Sequence, residues 1–333
     1  MRKCLVTGGC GFIGSTLVHM LQNKGWIVDV VDDLSNGKLD NLQKLSNRIV
    51  MPEMLPFYRQ YYERDRKGAD VLIITGDFVA PNVLERVSSG TYDVIFHLAA
   101  LPRVAYSIAE PVFTTETNIL KTVALFNAAA GKVSRVVFSS SSSVYGNAEC
   151  YPTSEDFLPE PRSPYALQKV TAEKYATQFA EFYGLDIVSL RYFNVYGPRQ
   201  RGADAYSTVI AAWCEAISSE VALRKDGTGE QSRDFTYVDD VARANMMAAD
   251  FTGRFKGETI NIANGTSISI NEVLNMFYDR FGHLRILEAP ARPGDVFKTQ
   301  GDGARAKEML GYEPSVSLPD GLAKTWRWWD YEG

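Results

Sequence analysis

The stretch that decides the fold is residues 7–14, Thr7-Gly8-Gly9-Cys10-Gly11-Phe12-Ile13-Gly14. It follows a short apolar strand at residues 4–6 and precedes a helical pattern of apolar residues that runs to Gly25. Its second, third and fourth glycines fit G-x-G-x-x-G in the strand–turn–helix context of dinucleotide-binding folds. Glycines let the backbone approach a pyrophosphate, whose charge the helix N-terminus favours. The stretch therefore predicts a dinucleotide site.

A second predicted strand, residues 26–31, ends at the acidic pair Asp32 and Asp33. Asp32 lies 18 residues past Gly14, where a carboxylate accepts hydrogen bonds from the hydroxyls of the adenosine ribose. This placement favours NAD over NADP. The alternative is a glycine-rich turn in another kind of α/β protein.

Further apolar strands are predicted at residues 71–74, 92–96, 135–138 and 187–191, alternating with helices. Alternation of this kind predicts an α/β fold, a Rossmann-type doubly wound parallel sheet with its ligands at the carboxyl edge. The alternation ends near residue 190. We therefore expect an NAD-binding domain at 1–190 and a smaller mixed α/β lobe at 191–333 that mainly binds substrate, with the chain crossing between them. Residues 50–70 carry no motif.

Three of the strand ends carry residues suited to a ligand. Asp77 and Phe78 follow the third strand, where they would meet the amino group and the edge of an adenine. Small residues follow the fourth strand, at 98–100, and would let the backbone pass close to a cofactor. His97, just before them, is expected to be a packed residue rather than a catalyst.

A tyrosine and a lysine stand four residues apart in Ser163-Pro164-Tyr165-Ala166-Leu167-Gln168-Lys169. Pro164 suits the first turn of a helix, and positions i and i+4 share one helical face. The ammonium of Lys169 would favour the ionised phenol of Tyr165, which predicts a base that works near neutral pH. Five serines, 139–143, end the preceding strand at the edge where ligands bind.

Composition excludes several classes of function. The chain has 333 residues, 45% of them apolar, and a net charge of −5 from mixed acidic and basic residues, so no global field attracts nucleic acid or a membrane. No apolar run approaches the roughly 20 residues of a membrane span.

Four cysteines without a C-x-x-C pair and three scattered histidines predict reduced thiols and no metal site. We expect a cytoplasmic chain without a signal peptide.

Together these motifs resemble the extended short-chain dehydrogenase/reductase family, and within it the UDP-hexose 4-epimerases. The resemblance extends over nearly the whole chain. It rests on the glycine-rich turn and on the segments Asp32-Asp33-Leu34, Gly76-Asp77, His97-Leu98-Ala99-Ala100, Phe138-Ser139-Ser140-Ser141, Val144-Tyr145-Gly146, Tyr165-x-x-x-Lys169, Arg191-Tyr192-Phe193-Asn194, Arg233-Asp234-Phe235 and Arg292-Pro293-Gly294-Asp295.

The resemblance implies that Tyr165 is the base, that Ser141 bonds the sugar O4 hydroxyl, and that Lys169 holds the nicotinamide ribose. The residues implied to contact NAD are Gly8, Gly9, Gly11, Phe12, Ile13, Gly14, Asp32, Asp33, Asn36, Gly37, Asp77, Phe78, Leu98, Ala99, Ala100, Tyr165, Lys169 and Phe193. Those implied to contact a UDP-sugar are Ser141, Ser142, Ser143, Tyr165, Asn194, Arg201, Arg233, Arg292, Asp295 and Thr299. Of these, Asn194, Arg233, Arg292 and Asp295 would hold the nucleotide diphosphate of the substrate.

The implied reaction is epimerisation at C4 through a 4-keto sugar. Related dehydratases and decarboxylases usually carry an acid where this chain has Ser142 or Ser143, and a serine transfers protons poorly near neutral pH. This difference favours simple epimerisation over elimination or decarboxylation.

The substrate implied by the resemblance is UDP-glucose or UDP-galactose. A small residue at the position of Thr299 is typical of similar epimerases that also accept UDP-GlcNAc and UDP-GalNAc. An arginine at the position of Arg201 is typical of UDP-glucuronate 4-epimerases, and this activity is the second hypothesis. An NAD-binding regulator without catalysis is the non-enzyme alternative, and retention of Ser141, Tyr165 and Lys169 together argues against it. The resemblance also implies a homodimer, joined through helices at about residues 112–130 and 165–183.

Overall fold

A computed structural model describes residues 2–45, 47–61, 71–202, 208–291 and 296–331. The strands are β1 Lys3–Thr7, β2 Ile27–Asp32, β3 Asn47–Val50, β4 Val71–Thr75, β5 Val94–His97, β6 Arg135–Ser141, β7 Ile187–Tyr192, β8 Val195–Tyr196, β9 Leu223–Asp226, β10 Ser232–Asp234, β11 Thr236–Tyr237, β12 Thr259–Ile262, β13 Ser267–Ser269 and β14 Ile286–Ala289. The helices are α1 Phe12–Asn23, α2 Leu55–Tyr61, α3 Pro81–Ser88, α4 Val104–Ala109, α5 Pro111–Thr115, α6 Thr122–Ala129, α7 Pro164–Tyr183, α8 Val209–Ser218, α9 Val238–Asp250, α10 Ile270–Phe281, α11 Ala304–Leu310 and α12 Leu318–Tyr331.

Eight parallel strands form the central sheet, in the order β12-β7-β6-β5-β1-β2-β4-β3. The chain moves outward from β1 in one direction through β2 and in the other through β5. The carboxyl ends of β1 and β5 therefore flank the switch point, where open α/β sheets bind their ligands. The predicted fold class, a doubly wound parallel sheet with a smaller mixed lobe, is confirmed.

The sheet contains two strands more than the sequence predicts for it. β3 forms one edge, immediately before the stretch 50–70 that carries no motif. β12 forms the other edge through parallel pairing with β7, although it follows much of the second lobe in the chain. The chain thus returns to the sheet after residue 190, and the division into domains at 190 and 191 stays a prediction.

Apolar side chains cover the sheet on both faces. One face carries a core in which α1 and α9 pack on β1, β2 and β7, and the other carries α3, α6 and α7 on β4, β5 and β6. Strands buried on both faces are nearly continuously apolar, as in β4. The second lobe has its own core, in which the rings of Trp213 and Trp326 each meet Phe277 edge-on with centroids 5.3 Å apart.

Helices α5 and α6 are joined by a π-helical turn, Glu116–Lys121, into one continuous segment. Asn118 in this turn bonds both backbone groups of Leu101, accepting from its N–H at 2.8 Å and donating to its carbonyl at 3.1 Å. The loop after β5 is thereby fixed against α6. π-helical turns of this kind are frequent near functional sites.

All four cysteines are free thiols, and Cys4, Cys10 and Cys214 are buried. Within the described ranges, no group of three or more His, Cys, Asp or Glu side chains is arranged to hold a metal ion. None of the helices described is both long and apolar enough to span a bilayer.

Candidate active site

The glycine-rich turn between β1 and α1 brings backbone against backbone. Gly8 has a φ of +71°, and a Cβ there would lie 2.8 Å from the backbone nitrogen of Ala99. A Cβ on Gly14 would lie 2.1 Å from the carbonyl oxygen of Gly8. Only glycine fits either position without a shift of the backbone. The first turn of α1, which has no side-chain cap, therefore opens directly onto a glycine cradle suited to a pyrophosphate.

Asp32 ends β2 with its carboxylate held by backbone donors. Its Oδ2 accepts from the N–H of Cys10 and its Oδ1 from that of Leu34, each at 2.9 Å. Burial raises the pKa of this carboxyl, and the two N–H donors oppose the rise. Gly37 passes so closely that a Cβ there would lie 2.8 Å from Oδ1. The fixed carboxylate retains lone pairs that are free to accept, and its contact with the ribose hydroxyls stays a prediction.

His97 is fully buried at the end of β5 and links the loops around the cradle. Its Nδ1 lies 2.7 Å from Thr7 Oγ1, its Nε2 lies 2.9 Å from Thr122 Oγ1, and Thr7 Oγ1 also accepts from the N–H of Ala99 at 3.2 Å. Burial lowers the pKa of His97 to about 3, so the ring is neutral. His97 is a packed residue that holds the 98–100 loop to β1.

The loop after β4 forms another part of the cradle. Asp77 accepts from the ammonium of Lys121 at 2.7 Å and from the N–H of Val79 at 3.0 Å. Phe78 is buried, with its ring centroid 5.0 Å from that of His97. The contact of Asp77 and Phe78 with an adenine stays a prediction.

Helix α7 and strand β6 bring the predicted catalytic residues together. Ser163 caps the helix, with its Oγ accepting from the N–H of Ala166 at 3.1 Å. The ammonium of Lys169 donates to the carbonyl of Ser139 at 2.7 Å and lies 5.9 Å from the centroid of the Tyr165 ring. The phenol of Tyr165 interacts with the hydroxyl of Ser141. The three catalytic residues predicted from the sequence thus form one group.

The electrostatics of this group differ from the sequence prediction. Burial raises the pKa of Tyr165 to about 12, and the Ser141 hydroxyl offsets only part of the rise. Burial also lowers the pKa of Lys169 to about 8, against the opposing effect of the nearby Glu173 carboxylate. The prediction of a phenol that ionises near neutral pH is wrong for these protein groups alone, because desolvation by burial outweighs the hydrogen bond with Ser141.

A buried charge network beneath the catalytic group escaped the sequence reasoning. Glu173, one turn beyond Lys169, accepts from the hydroxyl of Ser140 at 2.5 Å and from the guanidinium of Arg191 at 2.7 and 2.9 Å. Arg191 also donates to the phenol oxygen of Tyr145 at 2.8 Å. The network ties α7 to β6 and β7. Its only sequence signal is that Glu173 continues the i, i+4 face of Tyr165 and Lys169.

A cavity of about 1240 Å³ runs from the glycine cradle past the catalytic group into the second lobe. Sites for a single small ligand measure about 300–1,000 Å³, so this volume suits a dinucleotide together with a second ligand. The predicted site residues in its wall are Gly8, Gly11, Phe12, Ile13, Gly14, Asp32, Asp33, Asn36, Gly37, Asp77, Phe78, Leu98, Ala99, Ala100, Tyr165, Lys169, Asn194, Arg201 and Arg233.

Several other predicted residues lie behind this wall. Phe193 is buried in a small cluster with Val144, Tyr145 and Ala263, so its ring is not brought to the cofactor side. Gly9 packs against β2, where a Cβ would lie 2.7 Å from a Val30 methyl group.

Three of the predicted serines also lie outside the residues that line the cavity. Ser141 caps the short 3₁₀ turn Ser142–Tyr145, with its Oγ accepting from the N–H of Ser143. The serines therefore shape the end of β6, and Ser141 meets the cavity wall through its hydrogen bond with Tyr165.

Asn194, Asp234 and Thr299 form a hydrogen-bonded group on the substrate side. Asn194 donates from Nδ2 to Thr299 Oγ1 at 2.8 Å and to the carbonyl of Asp234 at 3.2 Å. Thr299 Oγ1 also accepts from the N–H of Asp234 at 3.0 Å. Thr299 therefore contacts a residue of the wall rather than forming the wall itself.

The arginines of the second lobe have different placements. Arg233 is buried and donates to the carbonyls of Ser232 and Phe297. Arg201 is exposed at the cavity. The predicted residues Arg292 and Asp295 lie outside the described residues. Wall residues that the sequence analysis did not identify include the polar side chains of Arg103, Lys121, Arg199, Gln200, Lys225 and Gln231.

Comparison with known proteins gives a consistent result. The model of the NAD dependent epimerase/dehydratase family matches residues 4–263. The UDP-glucose 4-epimerase of Mycolicibacterium smegmatis is 36% identical over 326 residues, which cover 97% of this chain and 97% of the relative.

Two solved structures are similar over the whole chain. The first is the UDP-N-acetylglucosamine 4-epimerase from Methanobrevibacter ruminantium M1 in complex with UDP-N-acetylmuramic acid, with a TM-score of 0.86, 34% identity, and coverage of 100% of this chain and 99% of that one. The second is the UDP-glucose 4-epimerase from Thermotoga maritima with UDP-glucose, with a TM-score of 0.86, 35% identity, and coverage of 99% of both chains.

Gly14→Ala tests the cradle. The added Cβ would meet the Gly8 carbonyl, so we expect the affinity for NAD to fall about 100-fold or more, measured by calorimetry on the full-length protein. Gly303→Ala is the matched control, because a Cβ there meets open space at an ordinary φ of −92°, and it should bind NAD like the wild type. If the wild type and both variants bound NAD with equal affinity, the assignment of the glycine-rich turn as the NAD-binding cradle would be contradicted.

Proposed function

Because the chain belongs to the NAD dependent epimerase/dehydratase family, we propose that it is a UDP-hexose 4-epimerase, with NAD as its cofactor. The reaction interconverts UDP-glucose and UDP-galactose through a 4-keto sugar. The observation that carries the proposal is that Tyr165 and Lys169 stand in the wall of the same cavity as the glycine cradle and Asn194. The residues proposed for the base, for the dinucleotide site and for the second ligand site thus line one continuous cavity.

In this proposal Tyr165 takes the proton of the sugar O4 hydroxyl and later returns it. NAD⁺ held by the glycine cradle and Asp32 would supply the acceptor and donor of a hydride at C4, and its positive charge would favour the phenolate. Ser141 orients the O4 hydroxyl through its place beside the phenol. Lys169, anchored on the Ser139 carbonyl, would hold the nicotinamide ribose and add positive charge near Tyr165.

Inversion requires the keto sugar to present its other face between the two halves of the reaction. We propose that Arg233 helps to hold the diphosphate, because a guanidinium offers forked donors to phosphate oxygens. Arg292 and Asp295 are proposed to contact the nucleotide diphosphate as well, Arg292 as a hydrogen-bond donor and Asp295 as an acceptor. A sugar held mainly through its diphosphate can turn about that linkage without leaving the cavity.

The residues after Ser141 support epimerisation rather than elimination. Ser142 and Ser143 form the start of a 3₁₀ turn, and the hydroxyl of Ser143 is buried without a hydrogen-bond partner among the described residues. Neither side chain carries the acid that removal of a C6 hydroxyl or a carboxyl group would use.

We propose that UDP-GlcNAc and UDP-GalNAc are substrates as well, because Thr299 is small and lies just behind the wall. UDP-glucuronate is the second candidate, favoured by the presence of Arg201 in the wall. An exposed guanidinium attracts a carboxylate only weakly, typically by about 0–1 kcal/mol. We therefore rank the neutral hexoses first.

Turnover with defined substrates tests the function. NAD-loaded wild type should form the C4 epimer from UDP-glucose and from UDP-GlcNAc, followed by NMR, with little conversion of UDP-glucuronate. Tyr165→Phe should lower kcat by about 10²–10⁴-fold while NAD stays bound, because only the proton acceptor is removed. Tyr183→Phe, at an exposed position of the same helix, is the control. Absence of any epimer, or full activity in Tyr165→Phe, would refute the proposal.

The pH profile tests the role of Lys169. Its ammonium, with a pKa of about 8, is charged below that pH, so kcat/KM should fall as the pH rises through about 8. Because Glu173 raises the pKa of Lys169, Glu173→Gln should move this falling limb to lower pH. Glu160→Gln, which removes an exposed partner of Arg162, should leave it in place. If the falling limb of the profile lay at the same pH in Glu173→Gln as in the wild type, the proposed role of Lys169 would be contradicted.

We also propose that the protein is a homodimer. Val112 and Leu120 on the α5–α6 segment are 82% and 63% exposed, beside an apolar groove that also includes Ala124. On α7, Leu167 and Phe182 are exposed on one face. Two such helical segments per subunit would bury these side chains against their symmetry mates.

Light scattering tests the assembly. The wild type should have twice the mass of the chain, and Leu120→Glu should shift it toward the monomer, because the new charge would be buried in the interface. Leu158→Glu changes a side chain that is 87% exposed elsewhere and should stay dimeric. A monomeric wild type, or a Leu120→Glu protein as dimeric as the control, would contradict the proposed interface.

A further inference from the structure

Tyr145 ends the 3₁₀ turn that begins beside the catalytic group. Ser141 caps this turn, Ser142–Tyr145, and its Oγ accepts from the N–H of Ser143 at 3.2 Å. A hydroxyl oxygen that accepts there still has its own O–H to donate, and its hydrogen-bond partner is the phenol of Tyr165. The rotamer of Ser141, and with it the bond to Tyr165, is therefore set from within the turn.

Two buried side chains hold the phenol of Tyr145. It accepts from the guanidinium of Arg191 at 2.8 Å and donates to Oδ1 of Asn261 at 2.7 Å. The amide of Asn261 is itself oriented, because its Nδ2 donates to the carbonyls of Thr153 at 3.0 Å and Asp302 at 3.3 Å. The three side chains are at most 5% exposed, so loss of either bond would leave a buried polar group unpaired.

Arg191 connects this phenol to the helix that carries the catalytic base. Its guanidinium donates twice to the carboxylate of Glu173, at 2.7 and 2.9 Å, and its Cζ lies 4.8 Å from the centroid of the Tyr145 ring. Glu173 lies two turns beyond Tyr165 on the same face of α7. One guanidinium therefore ties the end of the turn to the helix of Tyr165.

The Tyr145 side chain lies behind the site. Neither Tyr145 nor Arg191 is among the described residues that line the cavity. Tyr145 instead packs in the small buried cluster with Val144 and Phe193. The next residue, Gly146, is pressed so closely that a Cβ there would lie 2.2 Å from the carbonyl oxygen of Glu160. Any influence of Tyr145 on the ligands therefore passes through the turn or through α7.

We infer that Tyr145 is a positioning residue of the proposed reaction, and that it holds Ser141 in the orientation that donates to the phenol of Tyr165. The inference rests on the proposed function and adds a residue to it. A hydroxyl donor favours the phenolate over the phenol, so Ser141 lowers the pKa of Tyr165. Loss of the Tyr145 hydroxyl would release the end of the turn, weaken this donation and leave Tyr165 a poorer base. Arg191 acts in the same sense, because it holds the Tyr145 phenol.

Tyr145→Phe tests the inference, because it removes one hydroxyl and keeps the ring. The ionisation of Tyr165 is followed by ultraviolet absorbance of the phenolate in the NAD-loaded full-length protein, as the difference between each protein and the same protein carrying Tyr165→Phe. The midpoint should lie about half a pH unit or more higher in Tyr145→Phe than in the wild type. The kcat for UDP-glucose should fall about tenfold while KM stays within about twofold.

Tyr92→Phe is the matched control. Tyr92 is also a buried phenol between an arginine and an acceptor, since it accepts from Arg86 at 3.1 Å and donates to Asp29 at 2.8 Å. It precedes β5 and so lies at the amino edge of the sheet, away from the cavity. Tyr92→Phe should lower the free energy of unfolding about as much as Tyr145→Phe does, and it should leave the midpoint and kcat as in the wild type.

Ser141→Ala separates positioning from a general loss of stability. If Tyr145 acts through Ser141, adding Tyr145→Phe to Ser141→Ala should not move the midpoint further, whereas independent effects would add. Arg191→Lys is the second variant if Tyr145→Phe does not fold. It keeps a charge beside Glu173 but lacks the fork that reaches Tyr145, and it too should raise the midpoint. A midpoint unchanged in these variants, or a full further shift on top of Ser141→Ala, would overturn the inference.

Failure of the inference and failure of the proposed function give different results. The midpoint is measured without turnover, so it tests the role of Tyr145 whether or not UDP-glucose is epimerised. If the epimer forms while Tyr145→Phe keeps the wild-type midpoint, only the inference fails. If the midpoint shifts as expected while the wild type forms no epimer, only the proposed reaction fails.

Discussion

The contact on which the site depends is the one between the Lys169 ammonium and the Ser139 carbonyl, 2.7 Å apart in the protein interior. A buried charge requires partners, because desolvation otherwise favours its neutral form. Ser139 supplies an acceptor from β6, and Glu173 supplies a compensating charge one turn further along α7. The helix is therefore fixed on the sheet, and Tyr165, one turn earlier, is held beside the serine that ends the same strand.

The parallel sheet extends this arrangement to the ligands. Because β1, β2, β6 and β7 run in one direction, the glycine cradle, Asp32, the serines and Asn194 all follow strand ends at one edge. The same geometry accounts for the network between Glu173 and Arg191, which closes the space between α7 and the sheet. Rigid elements thus hold the base and the dinucleotide site, while loops of the second lobe complete the substrate side.

Features that depend on short spacings were predictable from the sequence: the glycine-rich turn, Asp32 and the start of α7. Features set by distant contacts were not. β12 joins the sheet through pairing with β7, and β3 is a half-exposed edge strand without a strong apolar pattern. The bond between Asn194 and Thr299 spans 105 positions. The raised pKa of Tyr165 was not predictable, because burial dominates it and burial is not a property of residue spacing.

The central claim is that the hydrogen of C4 leaves and returns within one site, while Tyr165 carries only the O4 proton. The most direct measurement follows the label from UDP-glucose deuterated at C4 into UDP-galactose, by NMR, with the wild-type protein in ordinary water. The account predicts that the deuterium is retained at C4 of the product and that no solvent hydrogen enters that position. Exchange of the C4 label with water would contradict it, because the hydrogen would then leave as a proton to solvent-exposed groups.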